Sequence, residues 1–198
     1  SGTILDTARF RFLLGQYYGI EPRSIHAFIL GEHGDSQVPV WSLANIAGIR
    51  LHEYGHQNGK HLDDNIKNTI AQATRRAAYE IIHRKGATYY AIATGLVRII
   101  EAIVRDENSV LTVSGLIQDF PGLDKGVCFS MPCVVNRQGI VQTLKFSLSP
   151  EEQAELLKSA LIIRGAIDEL VDDGLIEDSI ISKNIPTTSS RNYVYETP

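Results

Sequence analysis

His33 lies between two glycines in a short polar segment and is followed closely by Asp35. Since an imidazole gains or loses a proton near neutral pH, this histidine could act as a general acid and base. That chemistry requires a carboxylate to hold the ring and a cation to hold an anionic substrate. Asp6 and Arg9 could supply both from one helix face. A histidine bonded to Asp35 and an exposed Asp6–Arg9 ion pair are the simpler alternatives, and residue types alone leave the choice open.

A second candidate is a zinc site, because the residues from His52 to His56 match the pattern H-E-x-x-H. In zinc proteases a helix places the two imidazoles one turn apart, and the intervening glutamate, here Glu53, acts as the base. Gly55 and Gly59 crowd this segment and disfavour a helix. We therefore expect a solvated turn and no metal, with a zinc hydrolase as the alternative from another class of function.

The segment before His33 predicts a helix and a strand that position it. Apolar residues recur at helical spacing from Leu5 to Tyr18, and Gly19 follows as a stop signal. The run from Ser24 to Leu30 is rich in Ile, Ala and Phe and is short enough to be a strand. This strand would deliver the residues from Gly31 to Asp35 as a loop, where functional side chains are often held.

The rest of the chain predicts long helices packed on an antiparallel sheet, a mixed α+β class. Apolar stripes indicate helices over residues 62–83 and 88–105. Strand signals follow at residues 110–113, 127–135 and 140–148. A capping box at Ser149 and Glu152 opens a helix that runs to about Val171. We expect one domain over residues 1–198, whose polar tail, residues 179–198, is flexible or wraps a partner subunit.

Composition excludes several classes of protein. The 198 residues are 43% hydrophobic and 21% charged, which is typical of one compact globular domain. A net charge of −4, with both signs mixed along the chain, argues against a nucleic-acid or membrane surface. A small molecule or another protein is therefore the expected partner.

The two cysteines and the ends of the chain bear on location and completeness. Cys128 and Cys133 fit neither a disulfide framework nor a zinc ribbon, so we expect buried free thiols in a reducing cytoplasm. No signal peptide is present, and no apolar run approaches the roughly 20 residues of a membrane span. The chain begins at Ser1 without an initiator methionine and enters a patterned segment at once, so we expect a piece of a longer protein.

Three motifs in register carry a resemblance to a known family. "SGTILDTARFR", "GEHGDSQVPVW" and "KGATYYAIA" occur in this order, and "MPCVVNRQGI" and a long final helix follow. The chain thereby resembles, over essentially its whole length, the C-terminal half of the bacterial-type L-lactate dehydrogenases, in the lactate/malate dehydrogenase family. The resemblance implies a cytoplasmic homotetramer of fermentative glycolysis that interconverts pyruvate plus NADH and L-lactate plus NAD⁺.

The resemblance also implies roles for individual residues. His33 matches the proton donor and acceptor of the hydride-transfer reaction, and Asp6 matches the carboxylate that stabilises the charged imidazole. Arg9 matches the residue that binds the substrate carboxylate through two parallel hydrogen bonds. The remaining matches are Thr88, which lines the pocket for the substrate side chain, and Ile92 and Ser1, which lie beside the nicotinamide.

A regulatory site follows from the same resemblance. Arg11 and His26 match the pair that binds a phosphate of fructose 1,6-bisphosphate at a subunit interface in the activated members of the family. Arg11 is two residues from Arg9 and must point to a different face of the helix, so it cannot share the substrate carboxylate. The alternative is a solvent-exposed arginine and a strand histidine without a ligand.

The chain departs from the family in what it lacks. It contains no G-x-G-x-x-G fingerprint of a dinucleotide-binding Rossmann domain, and the mobile loop that distinguishes lactate from malate is absent as well. We therefore expect this chain alone to be inactive, because hydride transfer needs NAD held against the substrate. A malate or other L-2-hydroxyacid dehydrogenase and a non-catalytic assembly fragment remain as alternatives.

Overall fold

The computed structural model describes residues 1–177. Within them the helices and strands are, in chain order, α1 (Gly2–Tyr18), β1 (Ile25–Leu30), β2 (Val38–Ile46), β3 (Ile49–Arg50), α2 (Leu51–Asn58), α3 (Asp64–Lys85), α4 (Tyr90–Val104), β4 (Ser109–Ile117), β5 (Val127–Asn136), β6 (Gly139–Thr143) and α5 (Pro150–Asp172). A short 3₁₀ turn, Pro22–Ser24, precedes β1. This order of helices and strands confirms the mixed class predicted from the sequence.

The strands form two antiparallel sheets, in the orders β1-β2-β3 and β4-β5-β6. The sheets are joined where Gly31 and Ser130 exchange two backbone hydrogen bonds, of 2.9 and 3.0 Å. Helix α1 contacts β1 of the first sheet and β4 of the second. Its buried Phe10 and Leu14 belong to the apolar core of the first sheet, which also includes Ile25. Helix α1 is therefore held against both sheets, and this packing fixes the positions of the side chains that it carries.

Several boundaries follow directly from local signals. Gly19 and Gly86 adopt the left-handed conformation that ends α1 and α3, with φ of 73° and 83°. The capping box predicted at the start of α5 is present, since the Ser149 hydroxyl accepts the Glu152 N–H and the Glu152 carboxylate accepts the Ser149 N–H. These elements match their predicted ranges to within a few residues, as expected for element ends.

The turn that we predicted around His52 and His56 is wrong, because this segment forms helix α2. Leu51 is buried, and the Tyr54 ring packs edge-on against Tyr18 with centroids 5.3 Å apart. These tertiary contacts stabilise a helix that weak local propensity disfavours. The glycine at residue 59, which we took as a sign of a turn, ends the helix with φ of 72°.

Other differences concern strands and cysteines. Sequence patterns missed β2, which begins at Val38 and Pro39, since proline is atypical within a strand. The strand predicted over residues 140–148 ends at Thr143. Both cysteines are free, as expected, but Cys128 is exposed and only Cys133 is buried. The predicted tail, residues 179–198, lies outside the described residues.

The search for a membrane span gives a negative result for the described part of the chain. None of the helices in residues 1–177 is long and apolar enough to cross a membrane.

Candidate active site

The loop that carries His33 starts from the junction of the two sheets. Gly31 has φ of 87°, and a Cβ there would lie 2.5 Å from the Ser159 hydroxyl oxygen on α5. The same hydroxyl accepts the Glu32 N–H at 2.9 Å. Ser159 is fully buried, so this anchor is shielded from solvent. The residue before His33 is thereby fixed against α5.

The partner of the His33 ring is Asp6 on α1. His33 Nδ1 lies 2.6 Å from Asp6 Oδ2. The ring fits against the first turn of α1 because residue 2 is glycine: a Cβ there would lie 1.9 Å from His33 Cδ2. Since a carboxylate only accepts, Nδ1 must carry the hydrogen, and Nε2 is left to exchange a proton with a bound molecule.

The Asp6 carboxylate also contacts Arg9, which was predicted to lie on the same face of α1. Arg9 Nη1 donates to Asp6 Oδ1 at 3.3 Å. The Asp6 side chain is 4% exposed, whereas 48% of the His33 side chain is exposed. A buried carboxylate that also pairs with Arg9 therefore holds a histidine whose outer edge reaches solvent, which suits proton exchange with a ligand.

A cavity of about 200 Å³ lies beside this cluster and collects most of the predicted site residues. Its lining consists of Ser1, Gly2, Leu5, Arg9, His33, Ala78, Thr88, Ala91 and Ile92. Thr88 lies in the connection two residues before α4, Ile92 lies in its first turn, and both share the cavity lining with residues of α1. Arg9 and His33 thus offer a cation and an imidazole in a space whose other walls are largely apolar, as small-molecule sites require.

Three residues of this arrangement were missed by sequence reasoning. Gly2 makes room for the imidazole, Ser159 anchors the loop, and Gln37 places its side-chain amide against Asp6 Oδ2 at 3.0 Å. Gly2 is the second residue of the motif "SGTILDTARFR". Glycine is common where another side chain closely approaches the backbone, so this residue type was a usable signal. Nothing in local spacing points to Ser159 or Gln37, since their partners are distant in sequence.

Asp35, the alternative partner of His33, lies elsewhere. It is exposed and lines a second, larger and more polar cavity of about 460 Å³ together with Gln72, Arg75, Arg76, Tyr79 and Glu80 of α3. The larger volume does not make it the better candidate for chemistry, because the buried carboxylate and the imidazole are at the smaller cavity. The carboxylate that contacts His33 is the one from α1.

The two residues of the expected regulatory site lie on neighbouring elements. Arg11 Nε donates to the Ala27 carbonyl at 2.9 Å, and its guanidinium lies 5.2 Å from the centroid of the Phe28 ring. Burial lowers the pKa of Arg11 from its ordinary value of 12.5. His26 precedes Ala27 on β1 and is exposed. Arg11 therefore packs against the part of β1 that follows His26, and it is not among the residues that line the cavity of Arg9.

The zinc motif does form a helix, and its histidine and glutamate side chains lie at the surface. The His52 and Glu53 side chains are 73% and 57% exposed. The His56 ring packs against His61, with centroids 4.7 Å apart. No group of three or more potential metal ligands occurs among residues 1–177. The geometry gives this segment no shielded position for a catalytic metal.

Comparison with known proteins identifies close sequence relatives. Residues 3–173 match the family described as lactate/malate dehydrogenase, alpha/beta C-terminal domain. The L-lactate dehydrogenase of Moorella thermoacetica is 48% identical over 170 residues, which cover 86% of this chain and 54% of that protein. The L-lactate dehydrogenase of Synechococcus sp. (strain JA-3-3Ab) is 52% identical over 171 residues, again 86% of this chain and 54% of the relative.

Solved structures of lactate dehydrogenases are also similar to this chain. A lactate dehydrogenase from a Medee basin deep-sea metagenome library matches with a TM-score of 0.81 and 38% identity, over 85% of this chain and 54% of that chain. The minor L-lactate dehydrogenase of Enterococcus mundtii matches with a TM-score of 0.78 and 36% identity, over 85% and 53%. This chain spans about half the length of the curated relatives that it matches.

Proposed function

Because this chain belongs to the lactate/malate dehydrogenase family, as its alpha/beta C-terminal domain, we propose that it is the substrate-binding and catalytic half of an L-lactate dehydrogenase. The enzyme interconverts pyruvate plus NADH and L-lactate plus NAD⁺. The observation that carries the proposal is the 2.6 Å contact between His33 Nδ1 and Asp6 Oδ2 beside a cavity that Arg9 also lines. This arrangement places an acid–base group, His33, and an anion-binding group, Arg9, at the same cavity.

His33 is the acid and base of the reaction. In the direction of reduction, its imidazolium gives the Nε2 proton to the carbonyl oxygen of pyruvate as negative charge develops there. In the reverse direction the neutral ring takes the hydroxyl proton of lactate. Asp6 holds the ring by its Nδ1–H and stabilises the charged form, since buried carboxylate and imidazolium attract one another. The pair therefore exchanges one proton at a fixed position.

Arg9 and Thr88 fix the substrate for this exchange. The Arg9 side chain is 20% exposed and lines the cavity, so its planar guanidinium can bind a carboxylate through two parallel hydrogen bonds. Thr88, two residues before α4, lines the cavity and borders the side chain of the substrate. These two contacts orient the carbonyl carbon for attack and supply the entropic advantage of a positioned reactant.

The residues present fit only one end of NAD. Ser1 offers a hydroxyl at the cavity, and Leu5 and Ile92 give it an apolar wall, as a nicotinamide ring requires. NADH, when bound, supplies the hydride that reduces the substrate carbonyl. The sequence contains no G-x-G-x-x-G fingerprint for the rest of the dinucleotide, so the chain alone is expected to be inactive.

A regulatory anion site and the assembly belong to the same proposal. Arg11 and His26 bind a phosphate of fructose 1,6-bisphosphate between subunits of a cytoplasmic homotetramer. Arg11 donates to the carbonyl of Ala27, the residue that follows the exposed His26, and this supports the assignment because both side chains can donate hydrogen bonds to a phosphate. The effector activates the enzyme if it binds the active arrangement of subunits more tightly.

The test is a chimera in which this chain replaces the matching part of the M. thermoacetica L-lactate dehydrogenase. The chimera is expected to oxidise NADH with pyruvate. His33→Asn should lower kcat on the order of a thousandfold, since it removes general acid–base catalysis. His52→Asn, an exposed histidine on α2, is the matched control and should leave kcat unchanged.

Two results would contradict the proposal. One is a folded chimera that reduces no 2-oxoacid, and the other is near-normal turnover in His33→Asn.

A further inference from the structure

The Gln37 side chain connects the candidate proton-transfer pair to helix α3. Gln37 follows the His33 loop and is 4% exposed. One end of its amide lies 3.0 Å from Asp6 Oδ2, and the other lies 3.1 Å from the backbone nitrogen of Arg75. A second contact joins the same pair of residues, since Arg75 Nη2 donates to the Gln37 backbone carbonyl at 3.4 Å.

The polarity of these neighbours decides the orientation of the amide. A carboxylate oxygen can only accept a hydrogen bond, and a backbone N–H can only donate one. The amide nitrogen of Gln37 must therefore face Asp6, and its oxygen must face Arg75. In the opposite orientation two buried acceptors and two buried donors would face each other, which is strongly unfavourable.

We propose that Gln37 is a positioning residue that fixes the Asp6 carboxylate for proton transfer by His33. The Gln37 amide and the His33 ring donate to the same oxygen, Asp6 Oδ2, while Arg9 donates to Oδ1. Three donors from different directions allow the carboxylate one orientation only. Gln37 itself is fixed by the N–H of Arg75, in the middle of α3.

This inference rests on the proposed function, because positioning matters for turnover only if His33 transfers a proton. Gln37 is not among the residues that line the substrate cavity, so its proposed role is indirect. Loss of the amide would leave Asp6 paired with His33 and Arg9 but free to rotate. The proton-transfer geometry would then be lost while the binding of the substrate carboxylate by Arg9 remained.

The first experiment measures the contact without any turnover. In the full chain, the side-chain NH₂ signal of Gln37 is assigned in a ¹H–¹⁵N spectrum by its loss in Gln37→Met. We expect these protons to exchange with solvent at least about tenfold more slowly than those of the exposed Gln16, because they are buried and bonded to a carboxylate. Exchange as fast as at Gln16 overturns the proposal, whether or not the chimera is active.

The second experiment measures the consequence in the chimera. Gln37→Met keeps the length of the side chain and removes the donor, so kcat should fall about tenfold or more while KM for pyruvate stays within about twofold. Gln37→Glu has nearly the shape of glutamine, and when protonated it can donate to Asp6. The ratio of its kcat to that of the unsubstituted chimera should therefore rise as the pH is lowered, and the ratio for Gln37→Met should stay flat.

The charged groups around this position are Asp6 and Arg9 on α1, His33 in the loop and Arg75 on α3. They are the same in both variants, so the comparison between glutamate and methionine isolates the added carboxyl. If the role of Gln37 were only structural, the substitutions would lower the yield of folded protein. The ratio of kcat for Gln37→Glu to kcat for the unsubstituted chimera would then not depend on pH. A kcat for Gln37→Met within twofold of the unsubstituted chimera, or a flat ratio for Gln37→Glu, overturns the proposal.

Discussion

Glu152 Oε1 on α5 lies 2.8 Å from the backbone nitrogen of Trp41 on β2, 111 positions away in the sequence. The same oxygen accepts the Ser42 N–H at 2.9 Å, and Oε2 accepts the Ser42 hydroxyl. These groups lie on the part of β2 where its pairing with β1 is interrupted between His26 and Phe28. The capping glutamate of one helix thus satisfies strand donors that the sheet leaves unpaired.

Glu152→Ala should therefore destabilise the chain by more than the loss of a helix cap. We expect the free energy of unfolding to fall by about 3 kcal/mol, because two backbone donors of β2 lose their buried acceptor. Chemical denaturation followed by circular dichroism measures the change. Glu155→Ala, one turn along the same helix and exposed, is the control and should cost less than about 0.5 kcal/mol. Equal losses in the two variants would contradict the assigned role.

Tyr18 predicts how stability changes in alkaline solution. Burial and its neighbours Tyr17 and Tyr54 raise the pKa of Tyr18 from 10.0 to about 12. The unfolded chain therefore releases this proton first, and the free energy of unfolding should fall as pH rises from about 10 to 12. Tyr18→Phe loses the hydrogen bond to the Leu51 carbonyl and should be less stable at pH 8 by about 1 kcal/mol. Its deficit should narrow above pH 10, because phenylalanine does not ionise.

Urea denaturation at several pH values between 8 and 11.5 measures this difference. Tyr79→Phe is the control, since the Tyr79 side chain is exposed. A deficit of Tyr18→Phe that stays constant across this range would contradict the raised pKa.

Arg9→Lys tests the geometry of substrate binding. Lysine keeps the charge but cannot form two parallel hydrogen bonds with a carboxylate, so KM for pyruvate in the chimera should rise about 100-fold. Steady-state kinetics at saturating NADH measures the effect. Arg23→Lys is the control, because Arg23 is 91% exposed and pairs with Glu21 away from the cavity. A change in KM of less than threefold would show that the substrate carboxylate binds elsewhere.

Arg11→Gln tests the regulatory site. The substitution removes the cation of the proposed phosphate site, so activation of the chimera by fructose 1,6-bisphosphate should be lost while kcat without effector stays within about twofold. Initial rates at low pyruvate, with and without the effector, give the measurement. The regulatory assignment would be wrong if the variant kept the full response, or if the unsubstituted chimera showed no response.

Sequence reasoning could place residues of the candidate site on helices and strands, but it could not foresee the contacts that hold them. Asp6 and Arg9 could be placed on one face of α1 because helical periodicity is a local property. Residue types alone left Asp35 as an equal alternative to Asp6, and only the family resemblance favoured Asp6. Gln37 could not be foreseen, since its partners lie on elements that meet only in the folded chain.

The wrong prediction of a turn at α2 also arises because tertiary contacts cannot be read from local sequence. Propensity over eight residues is a weak signal, and the packing of Leu51 and Tyr54 outweighs it. Conversely, α5 was foreseen nearly to its ends, because its capping box and its apolar stripe agree. Prediction succeeded where local and tertiary preferences coincide and failed where they conflict.

The hydrogen bonds between Gly31 and Ser130 bear on how the domain unfolds when it is heated. They join the sheets at the residue from which the His33 loop departs. Opening this junction would release the residue that anchors the loop, so we expect separation of the sheets and loss of the site to be one cooperative event. Heating should therefore leave the proton-transfer pair intact until the whole domain melts.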